Sequence, residues 1–123
     1  MYTVTIKEAS REFTARERIA FKDTSNALQL DNILGDNESL EIVPVDYVIL
    51  DVVNGADNEQ YEKIIVIDST GTKYVTGSSS FKTAFMSIWS EMVAETEPYS
   101  ITIYKKESKN YKGKSFITCS IVA

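Results

Sequence analysis

Apolar and polar positions alternate with a period of two over most of this chain, and that alternation predicts strands. Tyr2–Lys7 sets Tyr, Val and Ile against Thr, Thr and Lys, as a half-buried strand does. Leu40–Val43 and Val45–Val53 are further β-rich runs, and Pro44 between them predicts an edge or a bend. Asn54-Gly-Ala-Asp-Asn58 is a turn, because Asn-Gly favours positive φ. Tyr61–Asp68 is a strand, and Ser69-Thr-Gly71 turns it into a short one, Lys73–Thr76. Asp23-Thr-Ser-Asn26 and Leu34-Gly-Asp-Asn-Glu38 are polar connections, with the short apolar piece Ala27–Leu30 between them.

Two stretches depart from this rule. Between Ser10 and Lys22 two patterns overlap. Thr14-Ala-Arg-Glu17 matches a helix capping box, yet Phe13, Ala15, Ile19 and Phe21 also alternate against Thr14, Arg16, Arg18 and Lys22. We expect a short helical turn leading into a strand at Ile19–Asp23. The second departure is one clear helix. Ser78 to Ser80 offer N-caps, and Phe81, Ala84, Phe85, Ile88 and Met92 form one apolar stripe with Trp89 on its edge. Core packing is the expected role of that stripe, and Glu97-Pro98 is the expected stop.

The chain ends in a hairpin, YSITIYKKESKNYKGKSFITCSIVA, from Tyr99 to Ala123. Tyr99, Ile101 and Ile103 share one face of its first strand; Ser100, Thr102, Tyr104 and Lys106 share the other. In the second strand Ile117, Cys119 and Ile121 oppose Lys114, Phe116, Thr118 and Ser120. A hairpin symmetric about Asn110 pairs Lys106 with Lys114, Tyr104 with Phe116 and Thr102 with Thr118. The apolar set then faces the core, leaving two rings on the polar face among lysines.

Charge sharpens this picture. Of 13 basic residues, five lie in the hairpin (Lys105, Lys106, Lys109, Lys112, Lys114) against one acid, Glu107. The segment carries +4, while residues 1–98 carry −9. Cations that follow a phosphate backbone, beside rings that stack on bases, are what single-strand binding without sequence preference needs. The candidate backbone contacts are those five lysines with Lys63 and Lys73; the candidate stacking rings are Tyr104, Tyr111 and Phe116, then Tyr61 and Tyr74. The plainer alternative is a cross-strand pair, Tyr104 with Phe116, that only stabilises the hairpin. A net charge of −5 does not oppose a local basic face, because binding responds to the field at the site.

A length of 123 residues predicts one domain with a real core. There is no internal repeat and no linker. Met1–Ser10 holds no run of signal-peptide type, and no segment approaches the ~20 apolar residues of a membrane span, so we expect a cytoplasmic protein that does not engage a membrane. One cysteine, Cys119, precludes an internal disulfide and fits a reducing compartment. With no histidine, mechanisms that need imidazole are closed. Cys119 and carboxylates make no plausible zinc site, and the Asp/Asn-rich stretches at 31–38 and 54–59 lack the ligand spacing of an EF-hand. No Gly-rich phosphate loop is present. We therefore expect no enzyme, no cofactor, no metal and no small-molecule substrate.

Several strands, one helix, then a hairpin is the order of an OB-fold, a five-stranded partly open barrel, here with an added N-terminal segment: residues 1–18 as extension, 19–123 as barrel. An α+β sandwich with the helix across one sheet is the competing fold. From Ile19 to Ala123 the chain resembles the single-stranded-DNA-binding proteins of small protein-primed tailed phages. The resemblance is carried by FKDTSNALQLDNI, DNESLEIVPVDYVI, EKIIVIDSTGTKYVTGSSSFKTAF and the hairpin around SKNYKGKSFITCSI. TARERIAFKD looks like small phage proteins of Gram-positive hosts. The resemblance implies an OB-type fold, cooperative coating of single strands and a role in phage DNA replication in the host cytoplasm. It assigns no individual ring. Two other functions compete: a phage accessory protein whose acidic residues 31–62 meet a basic groove of a host enzyme, and a small virion or assembly component whose strand edges pair with further copies of itself.

Overall fold

A computed structural model describes residues 2–23, 27–35, 38–56, 59–107 and 115–122. The chain is mainly β. β1 (Tyr2–Ala9), α1 (Ala15–Lys22), β2 (Leu28–Gln29), α2 (Leu30–Ile33), β3 (Ser39–Ile42), β4 (Pro44–Asn54), β5 (Glu59–Asp68), β6 (Lys73–Thr76), α3 (Ser79–Met92), β7 (Ile101–Glu107) and β8 (Ser115–Ile121) follow one another. They form a five-stranded sheet, order β1-β4-β5-β6-β2, and a three-stranded sheet, order β3-β7-β8.

Among the described residues the strands form two sheets and close no barrel, an arrangement consistent with the α+β alternative. The run 39–54 divides between the sheets: β3 pairs with β7, and β4 pairs with β1 and β5. Pro44 stands at the break, where its missing N–H costs least, and the β4–β5 register shifts between Pro44 and Asp46. The gap that a closed barrel would seal by pairing β6 with β8 is bridged instead by side chains. Ser80 Oγ donates to the carbonyl of Ile117 at 2.9 Å, so the start of α3 covers the open edge of β8.

The five-stranded sheet buries both faces at its centre, which is why β4 reads YVIL without alternation. One face, with Tyr47, Ile49, Ile64, Val66 and Tyr74, packs on Phe81 and Phe85 of α3 and on Ile101, Ile103, Ile117 and Cys119 of the second sheet. The other face, with Val48, Leu50, Ile65 and Val75, is covered by Phe13 and by Phe21 of α1. β1 is no loose extension: it pairs with β4 along its length, with a bulge at Lys7.

The expected strand at Ile19–Asp23 is not there; α1 occupies the segment. The capping box decides it. Glu17 N donates to Thr14 Oγ1 at 3.2 Å and Thr14 N donates to Glu17 Oε1 at 2.9 Å, satisfying two otherwise orphan amides. Phe13 and Phe21 then meet edge to face, 4.7 Å between centroids, while Ile19 is left 68% exposed. Helix α3 begins as expected, with Ser78 capping Phe81 N at 3.2 Å. It stops at Met92, before Glu97-Pro98, since its last turn holds no cation to favour the dipole and acidic residues follow.

One ionic clamp ties three elements. Glu62 of β5 accepts from Lys7 of β1 at 2.5 Å and from Lys82 of α3. These hydrogen bonds, Lys7 first, hold its carboxyl down from an ordinary 4.5 to about 2. Its folded value lies below its unfolded one, so the stability it contributes is complete above about pH 4.5 and is lost as pH falls toward 2. Melting temperatures of the wild type should fall more steeply across that window than those of Glu62→Gln. Parallel curves would show that the clamp adds nothing.

Cys119 is buried, and desolvation pushes its thiol up to about 12. Almost no thiolate exists at neutral pH. Thiol reagents should therefore label the native protein slowly and the unfolded chain fast; rapid native labelling would mean that the faces of β8 are reversed.

Candidate nucleic-acid interface

Strands β7 and β8 pair antiparallel with Ile101 opposite Ile121, Ile103 opposite Cys119, Tyr104 opposite Thr118, Lys105 opposite Ile117 and Lys106 opposite Phe116. The expected pairing of Tyr104 with Phe116, Lys106 with Lys114 and Thr102 with Thr118 is thus displaced by two residues. A slip of two leaves the described side chains in their expected phase, whereas a slip of one would have inverted them; Ile121, expected to face the core, is 41% exposed at the end of β8. Ile101, Ile103, Ile117 and Cys119 face the core. Thr102, Tyr104, Lys106, Phe116, Thr118 and Ser120 share the outer face. The length of the connection, 108–114, does not by itself determine a register.

The outer face is half-exposed and mixed in character. Tyr104 Oη and Ser120 Oγ lie 2.8 Å apart in a hydrogen bond that holds the ring diagonally across the two strands. Phe116 sits beside it, opposite the exposed Lys106. Among the described residues no ring contact joins Tyr104 and Phe116. They are not the facing pair that hairpin stabilisation would want. On the far side β3 adds Ser39 opposite Tyr104 and Glu41 opposite Thr102, so one carboxylate borders the face.

The remaining candidates divide. Lys105 has the opposite phase to Lys106 and stands over the core-side end of the hairpin, half-buried. Lys109, Tyr111, Lys112 and Lys114 lie outside the described residues. Tyr61, 40% exposed, and Lys63 lie on β5, with the Lys63 ammonium 5.9 Å from the Tyr61 ring centroid. Both are on the α1 side of the five-stranded sheet, as is Lys73, whose ammonium lies 5.3 Å from the Phe21 centroid. Tyr74 belongs to the core, at 7% exposure. Its hydroxyl donates to Asp68 Oδ2 at 3.2 Å, and burial with that carboxylate raises its pKa. The ring has no open face on which a base could stack. A strand of four residues covered on both faces leaves no phase from which sequence could tell Tyr74 from Lys73.

Protein-family comparison, curated proteins and solved structures offer no match to this chain. Among the described residues no helix is long and apolar enough to cross a membrane, and no three metal-ligating side chains cluster. Asp68 accepts four hydrogen bonds among the described residues. Burial pushes its pKa up, but hydrogen bonds from Thr70, Thr72 and Tyr74 outweigh it and the net shift is downward. It fastens the β5–β6 turn, in which Gly71 supplies a φ of 87°. That is a structural task, as its four donors all belong to the turn and β6.

Proposed function

We propose that this protein binds single-stranded DNA without sequence preference and without catalysis, acting on phage DNA replication or recombination in the cytoplasm of the host. The observation that carries this reading is the outer face of β7–β8, where Tyr104, Phe116 and Lys106 stand together at the surface above a buried Ile/Cys layer. Rings beside a cation on the face of a three-stranded sheet suit stacked bases and a phosphate.

The topology supports an OB-type reading as well. Counting the bent run β3–β4 as one strand, the order is strand, β5, β6, helix α3, β7, β8, with the first strand pairing both β5 and β7. That is the order of a five-stranded, partly open Greek-key barrel, in which the connection between the last two strands is a recurrent oligonucleotide-binding loop. Here that connection is 108–114, SKNYKGK, which holds three of the five hairpin lysines and Tyr111. The resemblance to single-strand binders of protein-primed phages points the same way.

A titration with labelled thymidine oligomer, duplex DNA and uridine oligomer at two salt concentrations tests the reading. Single strands should bind better than duplex, with affinity falling as salt rises. Five neutralised phosphates would give a log–log slope of about −3.5, at ~−0.7 per contact. Equal affinity for duplex, or no binding at low salt, would overturn the proposal.

A further inference from the structure

Between α1 and the β5–β6 end of the five-stranded sheet lies an open groove of about 300 Å³. Ala20, Phe21 and Ile67 give it an apolar floor, and Arg11, Arg16 and Lys73 line it with Glu17 and Asp46. Its two carboxylates are already committed. Asp46 accepts from Ser10 Oγ at 2.8 Å and from Arg11 Nε at 3.2 Å. Glu17 accepts from Thr14 N at 2.9 Å and from Arg11 Nη2 at 3.2 Å. One guanidinium thus answers both acids.

Arg16 and Lys73 are left over: neither makes an ion pair among the described residues. Lys73 is half-buried with its ammonium over the Phe21 ring. Arg16 is in the first turn of α1, where the helix dipole disfavours a cation. Helix stability does not call for an arginine there. Two cations with no ion-pair partner among the described residues, beside an apolar floor, fit a ligand that is anionic at one end and apolar at the other.

We propose that this groove takes one nucleotide unit of a bound single strand, its phosphate between Arg16 and Lys73 and its base over the half-buried Ala20 and Ile67. This rests on the reading of the chain as a single-strand binder. It adds a second contact surface, built by the N-terminal segment, on the opposite sheet from the β7–β8 face. The segment 1–22 is then part of the binding apparatus as well as a cover for the sheet.

The test is a salt titration of a long thymidine oligomer with wild type, Arg16→Gln, Lys73→Met and the double variant. Lys73→Met keeps an aliphatic stem over Phe21, and Arg16 is exposed, so melting curves should move little. The double variant should bind about ten-fold more weakly at low salt, and its slope should be less negative by about 1.4, two contacts at ~0.7 each. If the wild type binds and the double variant matches it in affinity and slope, the groove proposal falls while single-strand binding stands. If the wild type binds no single strand at low salt, both fall. Should the double variant fail to fold, Arg16→Gln alone decides: a slope change of about 0.7 supports the groove, and none overturns it.

Discussion

Replacing Phe85 with alanine should remove about 3–5 kcal/mol of folding free energy, the range measured for deleting a buried Phe side chain. Phe85 is fully buried. Its ring stacks between Phe81 and Trp89, with centroids 5.9 Å away on each side, and meets Tyr47 of β4 edge to face at 6.0 Å. Alanine there leaves a cavity lined by those three rings. A domain of this size has only about 5–15 kcal/mol in total, so the variant should unfold at a far lower urea concentration. Ile88→Ala, on the same helix but half-buried, should cost markedly less. A loss for Phe85→Ala below about 1 kcal/mol would contradict the placement of α3 between the two sheets.

Tyr104→Ala and Phe116→Ala should each weaken single-strand binding by about 1–3 kcal/mol, the usual loss when a base-stacking ring is removed. Lys106→Ala should act differently, making the salt slope less negative by about 0.7, because it deletes a phosphate contact and no stack. Titrations at several salt concentrations separate the two classes. The register bears on what else to expect. With Tyr104 opposite Thr118 and Phe116 opposite Lys106, neither ring loses a directly facing aromatic partner on substitution of the other. Tyr104→Ala loses its hydrogen bond to Ser120, so some thermal stability should go with it. Melting curves run beside the titrations allow affinity to be expressed per folded molecule. Unchanged affinity in both ring variants, once so corrected, would show that strands bind elsewhere or not at all.

Local chemistry was legible in the sequence wherever a single rule acted alone. Lys73–Thr76 as a strand, Ser78 as the cap of α3, the Phe81/Phe85 stripe and the two faces of the terminal hairpin all follow from periodicity or capping, and each has its place in the fold. Where two local rules competed, the hydrogen-bonded one prevailed. The Thr14–Glu17 capping box overrode the alternation of Phe13, Ala15, Ile19 and Phe21, because it satisfies two amides while α1 still buries Phe21 against the preceding Phe13. Long-range facts had no local signal. Glu62 meets partners 55 and 20 positions away in the chain, Tyr74 is buried by α3 and the second sheet, and the division of 39–54 between two sheets shows only as Pro44. For the same reason nothing local singles out Arg16. Its proximity to Lys73 depends on α1 lying across the sheet, and α1 had to be a helix first.

Amide chemical-shift mapping of isotope-labelled protein, titrated with thymidine oligomer at low salt, tests most directly whether the β7–β8 outer face meets single strands. Perturbations should concentrate at Thr102, Tyr104, Lys106, Phe116 and Thr118 and weaken in step as salt is added, while buried amides of β4 stay in place. Shifts that spare all five positions while the oligomer binds elsewhere, or a spectrum that the oligomer leaves unchanged, would contradict the account.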